Sequence, residues 1–397
     1  MALEELGITT KVLILAPKSV LPVWYDELAE RGIDSVIIEG TPKAKKKKLS
    51  QDCVHIITYE SSWRGLLDPR AYQVIVFDEA IKLQNGLSKL GKFWGEAQSL
   101  KLLKDTRLWG LSGAPCPEGA LQLANQQLIL EGEWFNQKDY AHYVVNYWDW
   151  ETDDFKYYPK SLAHPKEAVN AFRAGAHIIS QKDLKMGAKS FELRRVKASR
   201  EEEALLVSNM EGAANMGVRA AYAQAACSGI NAETKTIVKK PSKLLAVIER
   251  VKDLLEEDPN TQVVVIHRFT VTGEWLSREL NCPWIYGQTS SVKRDAIIKS
   301  YQSGKNRVVV GQADAIKMGV DFSAGGHGVL VYAEHSWSGD SFIQSTQRAV
   351  NIERATPALI ITYCLDFEEY TVDEDIYETV KSKRDFNAKM LKTKKDK

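Results

Sequence analysis

Along this chain the apolar residues come in short, nearly unbroken runs. In the first third they cover positions 12–16, 54–58, 74–77 and 108–111. In the last third they cover 263–266, 283–286, 308–310, 329–332 and 358–363. Most are rich in β-branched residues and none alternates with polar positions, as expected of strands buried on both faces of a parallel sheet. Between them lie polar stretches with apolar positions at helical spacing, such as 23–31 and 292–301. Strand and helix in alternation predict doubly wound α/β units.

The middle of the chain differs. From about Glu118 to Lys240 strand-like runs are few, and Leu121, Leu123, Leu128, Ile129 and Leu130 fall on a helical pattern. A cluster of aromatic residues follows, from Trp134 to Tyr158. These rings are expected to pack an insert against the first lobe, with stacking on nucleic-acid bases as the alternative. Residues 199–226 are rich in Ala and Glu and strongly helical. Pro241 precedes another helix over 242–257, with Leu244, Leu245, Ile248 and Val251 on one face. The expected plan is therefore a first α/β lobe over 1–117, a helical, aromatic-rich insert or linker over 118–240, and a second α/β lobe over 241–397.

Composition narrows the classes. A chain of 397 residues has room for two or three domains. With 53 Lys and Arg against 52 Asp and Glu the formal charge is +1, which excludes a histone-like blanket of positive charge but leaves room for a local basic groove. The basic runs 43–48 and 392–397 are expected to be a solvated loop and tail. The 5 cysteines form no CxxC pair, so zinc and redox motifs lack support, and a reducing interior is expected. No apolar stretch approaches the ~18 residues of a membrane span, and the start, MALEELGITTK, has acids where a signal peptide has bases.

Two segments carry candidate chemistry. In VIVFDEAIKLQN (74–85) an apolar strand ends in adjacent carboxylates, Asp78 and Glu79. A nucleotide hydrolase places acids there, one to hold a magnesium ion and the next to orient or deprotonate the attacking water. About thirty residues later, LWGLSGAP (108–115) is a strand followed by a turn of small residues, where backbone can approach a phosphate or a neighbouring loop.

These segments belong to an ordered set. LAPKSVLPVWYDEL (15–28) precedes them, with Pro17, Lys18, Ser19, Leu21, Pro22, Trp24 and Glu27, and IITYES (56–61) lies between. In the second half come VVVIHRFTVTGEWLSREL (263–280), YGQTSSVKRDAIIKSYQSG (286–304), VVVGQADAIKMGVDFSAG (308–325) and QSTQRAVNIER (344–354). In order and spacing the set resembles helicase superfamily two, and within it the Swi/Snf-type DNA-dependent ATPases. LRRVKASREEEALL and YAQAACSGI sit where that family has its inter-lobe helices. The resemblance implies two RecA-like parallel-sheet lobes, ATP with Mg2+, and ATP-dependent movement on DNA without base reading. It implies catalysis and metal holding by Asp78, water activation by Glu79, nucleotide binding by Gly319, Asp321, Gln344 and Arg348, and a γ-phosphate contact by Arg348. It places Lys18, Ser19, Thr58, Thr289 and Ser290 near DNA phosphates. Compact size is similar to that of bacterial or phage-type members, hence an expected cytoplasmic location.

Three departures alter the expectation. The family's phosphate-binding loop, GxxxxGK[ST], occurs nowhere in these residues. The strand before that loop is expected next to the strand carrying Asp78, so its loss would leave two neighbours unpaired inside the lobe. Ile81 stands where the family has His, and Asn351 where it has a second arginine, with Arg354 one turn further on. Two readings follow. One is an amino-terminally truncated or split translocase, inactive alone, whose missing strand and loop come from another polypeptide. The other is a degenerate relative that binds DNA or a partner without turnover.

Overall fold

The computed structural model describes residues 11–132, 144–149, 154–159, 165–178, 188–316, 322, 327–348, 357–368 and 372–390. The chain divides into two compact units, residues 1–178 with 389–391 and residues 179–388 with 392–397. Both are α/β units built on parallel sheets, as two RecA-like lobes require.

The first unit carries strands β1 (Val12–Ala16), β2 (Ser35–Ile37), β3 (Val54–Thr58), β4 (Val74–Asp78) and β5 (Arg107–Leu111). They form one parallel sheet in the order β2-β3-β1-β4-β5. Its two faces are separate apolar layers. Leu13, Leu15, Ile57, Ile75 and Phe77 pack on one side with Tyr59 and the fully buried Trp94, while Ile14, Ala16, Ile56, Val74 and Val76 pack on the other with Leu21 and Trp24. The alternation within β4 explains why its sequence is continuously apolar: each face needs every second residue.

The sheet corrects one expectation. β4 is paired on both sides, by β1 and by β5, so no strand is missing beside the one that carries Asp78. Among the described strands the edges of this sheet are β2 and β5, and on β5 Trp109 and Leu111 are 48% and 41% exposed. A second correction concerns the basic run 43–48. It forms the helix Pro42–Leu49, started by Pro42 and by Thr41, whose side chain accepts from the Ala44 amide.

Strands β6 (Val144–Asp149) and β7 (Asp154–Pro159) make an antiparallel hairpin in the first unit. The rest of the aromatic cluster, including Trp134, Tyr140 and Trp150, lies outside the described residues.

The second unit carries β8 (Lys189–Lys197), β9 (Thr261–His267), β10 (Trp284–Ile285), β11 (Val308–Gln312), β12 (His327–Tyr332) and β13 (Ala358–Asp366), in the order β10-β11-β9-β12-β13-β8. All five pairings are parallel. β8 is an edge strand with five charged residues in nine, a composition that discourages further pairing. The segment expected as an insert is thus divided: the helix Leu121–Glu131 lies in the first unit, while β8 and the helices Arg200–Glu211 and Met216–Ala226 lie in the second. Buried Glu202 ties the start of one such helix to the start of Ser242–Glu257, accepting from the Ser199 amide and from the Ser242 amide and hydroxyl at 2.6–2.8 Å.

Candidate nucleotide and DNA-facing site

In the first unit the candidate residues gather at the carboxyl ends of neighbouring parallel strands. Ala16 pairs with Thr58, and Leu15 with Phe77, so β1, β3 and β4 end nearly level. Lys18 and Ser19 sit in the single turn after β1, Thr58 ends β3, and Asp78 ends β4. The Ser112–Pro115 loop leaves the same edge, since Leu111 pairs with Asp78. That edge is where open α/β sheets hold ligands.

Asp78 is half-buried and firmly placed. Trp24 Nε1 donates to its Oδ2 at 2.9 Å, and the Tyr59 hydroxyl donates to its backbone oxygen at 2.7 Å. Burial, then the charges of Asp78 and Glu79, push the Tyr59 phenol well above its ordinary range, so it stays a donor. Glu79 has left-handed backbone geometry, φ 57° and ψ 58°, which turns the chain sharply from β4 into Ala80–Leu83. A non-glycine residue held there costs about 1 kcal/mol or more, and such strain concentrates at functional sites. Ile81 is buried, 4% exposed, within that turn.

Thr58 caps the short helix Tyr59–Ser62: its hydroxyl accepts from the Ser61 amide at 3.2 Å and donates to the Ser61 hydroxyl at 3.0 Å. Lys45 Nζ donates to the same Ser61 oxygen at 2.9 Å. The Ser61 proton and the Lys45 ammonium are therefore what this corner presents outward. Lys45 was hidden in sequence because one lysine in a run of basic residues looks like any other. Its helical phase alone singles it out.

In the second unit Thr289 and Ser290 follow β10. The Thr289 hydroxyl accepts from the Tyr286 amide at 3.0 Å, and Ser290 caps the helix Ser291–Gln302. Each uses its oxygen as an acceptor, so the O–H can point to a phosphate. Sequence reasoning missed the polar frame behind them. Gln312, ending β11, accepts from the Gly287 amide and donates to the Arg268 oxygen, both at 3.1 Å. Buried Glu334 follows β12 and caps the helix Thr270–Glu279, accepting from the Arg268 and Phe269 amides at 2.7 and 2.8 Å and from the Thr272 hydroxyl at 2.6 Å. His267 accepts from Trp284 Nε1 through Nε2 and faces the Phe269 oxygen through Nδ1. Those partners assign the Nδ1-protonated neutral ring, and burial lowers its pKa.

Gln344 and Arg348 are one turn apart at the end of the helix Gly339–Gln347. Gln344 is 4% exposed and its amide donates to Asp340 at 2.9 Å, while Arg348 is half-buried. Gly319, Asp321, Asn351 and Arg354 lie outside the described residues.

Two adjacent carboxylates at a strand end suit Mg2+, which is held by one or two carboxylates together with substrate phosphates. No group of three His, Cys, Asp or Glu that could cage an ion occurs among the described residues. The cysteines are all free thiols, and burial pushes Cys116, Cys282 and Cys364 up to about 12, which suits packing rather than reactivity.

The domain matches agree with this layout. Residues 3–147 match the SNF2-related domain, and residues 246–353 match the helicase conserved C-terminal domain, together more than half of the chain. The chain belongs to the Swi/Snf-type branch of helicase superfamily two. That branch uses ATP with Mg2+. No curated protein matches the chain. Among solved structures it is similar to the Sulfolobus solfataricus SWI2/SNF2 ATPase core in complex with dsDNA, at 16% identity and TM-score 0.39, over 98% of this chain and 84% of that one. It is also similar to the Pyrococcus furiosus Hef helicase domain, at 14% identity and TM-score 0.48, over 93% and 89%.

Proposed function

We propose that this Swi/Snf-type chain binds the backbone of DNA without reading sequence and belongs to a motor that moves along DNA at the expense of ATP. One observation carries the reading. Lys18 and Ser19, Lys45 and Ser61, and the Asp78–Glu79 pair share one carboxyl edge of one sheet. Cations and hydroxyls suit phosphate oxygens, and the acids suit a phosphate-bound magnesium ion beside them. Bound there, Mg2+ would neutralise charge developing on the transferred phosphate. Asp78 would hold it, and Glu79 would orient the attacking water. Gly319, Asp321, Gln344 and Arg348 are proposed as the nucleotide contacts of the second unit, and Thr289 and Ser290 as its DNA contacts.

Fluorescence anisotropy on a labelled duplex tests the DNA reading. Affinity is expected to fall steeply with salt, with log K linear in log salt and little difference between sequences. Lys45→Ala and Lys18→Ala are each expected to weaken every duplex similarly and to reduce the salt slope by about 1. Tight binding to one sequence, insensitive to salt, would contradict the reading.

A second reading, a relative that binds DNA without turnover, is favoured by Ile81, whose buried side chain cannot hydrogen-bond where the family has His. A polypeptide of these 397 residues contains no GxxxxGK[ST] run, so its ATP hydrolysis is expected at background with or without DNA. A DNA-stimulated rate abolished by Asp78→Ala would show a working phosphate site and remove the second reading.

A further inference from the structure

Asp78 receives its two hydrogen bonds from outside its own strand. Trp24 lies on the helix Leu21–Glu30, which begins directly after the turn holding Lys18 and Ser19. Tyr59 is the residue after Thr58 and opens the short helix that holds Ser61. Each donor thus sits within six positions of a residue assigned above to a DNA phosphate. The two reach Asp78 from opposite faces of the sheet: Trp24 packs with Ile14, Leu21 and Val76, and Tyr59 with Leu15, Ile75 and Phe77.

The Trp24 bond is not forced by burial alone, whereas the Tyr59 hydroxyl is buried and takes Asp78 as its partner. The Trp24 ring is only partly buried, yet its N–H is spent on a carboxylate oxygen. An N–H donor to an ionised acceptor is short, directional and about twice as strong as a neutral pair. A displacement of the Leu21–Glu30 helix by less than 1 Å would take the 2.9 Å contact outside hydrogen-bond range or tighten it. The Tyr59 contact fixes the backbone of the same residue, immediately before the strained Glu79.

We propose that Trp24 and Tyr59 are positioning residues that couple DNA occupancy to the Asp78 carboxylate. A phosphate seated against Lys18 and Ser19, or against Ser61 and Lys45, moves the segment that bears each donor, and the two hydrogen bonds pass that movement to Asp78 from both faces. The coupling is reciprocal, as any linkage between two sites must be: a change at Asp78 alters DNA affinity through the same residues. This inference rests on the DNA reading given above.

Two measurements on the full chain test it. The first is the indole N–H spectrum of 15N-labelled protein, in which Trp24→Phe identifies one of 10 tryptophan signals. Adding duplex DNA is expected to move that signal. The second is a double-mutant cycle on DNA affinity with Trp24→Phe and Asp78→Asn, repeated with Tyr59→Phe, which removes only the hydroxyl. If Asp78 were felt by DNA through simple charge repulsion, the effects of the substitutions would multiply. Coupling through the hydrogen bonds is expected to make each cycle depart from that product by about 3-fold or more. A Trp24 signal that stays fixed on DNA-saturated protein, or cycles that close within about 1.5-fold, would overturn the coupling while leaving DNA binding intact. Absence of DNA binding in the anisotropy assay would instead overturn the functional reading, and this inference with it.

Discussion

Asp373→Ala is expected to destabilise the second unit by about 3–5 kcal/mol, much of the ~5–15 kcal/mol that holds a typical domain together. Lys243 Nζ meets Asp373 Oδ2 at 2.6 Å, with the side chains only 1% and 5% exposed. The same oxygen accepts from the Leu365 amide at 3.0 Å, so one carboxylate joins the starts of the helices Ser242–Glu257 and Val372–Met390 to the end of β13. Burial opposes the charge on Lys243, and the Asp373 carboxylate together with nearby Cys227 and Glu334 outweighs it, so the amine's pKa is raised. Without Asp373 a buried ammonium and a buried amide lose their acceptor together. The paired replacement Lys243→Met with Asp373→Leu removes both charges and is expected to recover most of the loss. Hydrogen exchange at β9 and β11 amides reads the second unit by itself. A single variant within 1 kcal/mol of the parent, as judged against the usual mutational spread, would contradict this account. So would a double variant no better than the single.

Acid is expected to act on the same unit through His335. Burial, aided by the charge of Lys243, lowers its pKa from 6.5 to about 3. The ring stacks on Tyr332 with centroids 4.4 Å apart, and Nε2 meets the Thr362 hydroxyl at 3.1 Å. Above pH 6.5 both folded and unfolded chains hold it neutral. As pH falls below 6.5 the unfolded chain takes up a proton that the folded one refuses, so stability declines until about pH 3. The slope is about 1.4 kcal/mol per pH unit for one proton. Between pH 7 and 5 the loss is roughly 2 kcal/mol. Buried His267 adds in the same direction. Denaturant midpoints measured from pH 7 to 4.5 check this: His335→Gln is expected to flatten the slope by one proton, whatever it does to stability at pH 7. An unchanged slope would show that the ring is protonated in the folded state.

The strands were legible where both faces are covered. The runs at 12–16, 74–77, 263–266 and 308–310 are β1, β4, β9 and β11, all inner strands or their neighbours, because a doubly buried strand admits apolar residues at every position. β8 was not legible. An edge strand needs neither unbroken apolarity nor a covered outer side, and its charges read as part of a helical region. Helix 242–257 carried its own signal in Leu244, Ile248 and Val251. Residues 199–226 look like one helix by composition, yet Ser199 and Asn215 each cap a separate one. Strand order was misjudged because a sequence lists strands and does not state their neighbours: β1 occupies the place beside β4. In the site, the acids and the strand-end segments were legible from residue type and order. Trp24 was legible as part of a pattern, while its hydrogen bond to a residue 54 positions away was not, since only the packed sheet brings them together.

The pairing of β8 with β13 has a consequence for the birth of the protein. Ser190 and Ala358 stand 168 positions apart, and the nine-residue register between the two strands cannot form until both exist. At about 5–20 residues per second a ribosome needs roughly 10–30 s to cover that interval. During it β8 is a strand without its partner, exposed to every other nascent sheet edge in the cell. Five charges in nine residues keep such a segment hydrated and unattractive to wrong partners while it waits. The composition that hid β8 from a reading of the sequence is thus what suits it to being made first and placed last.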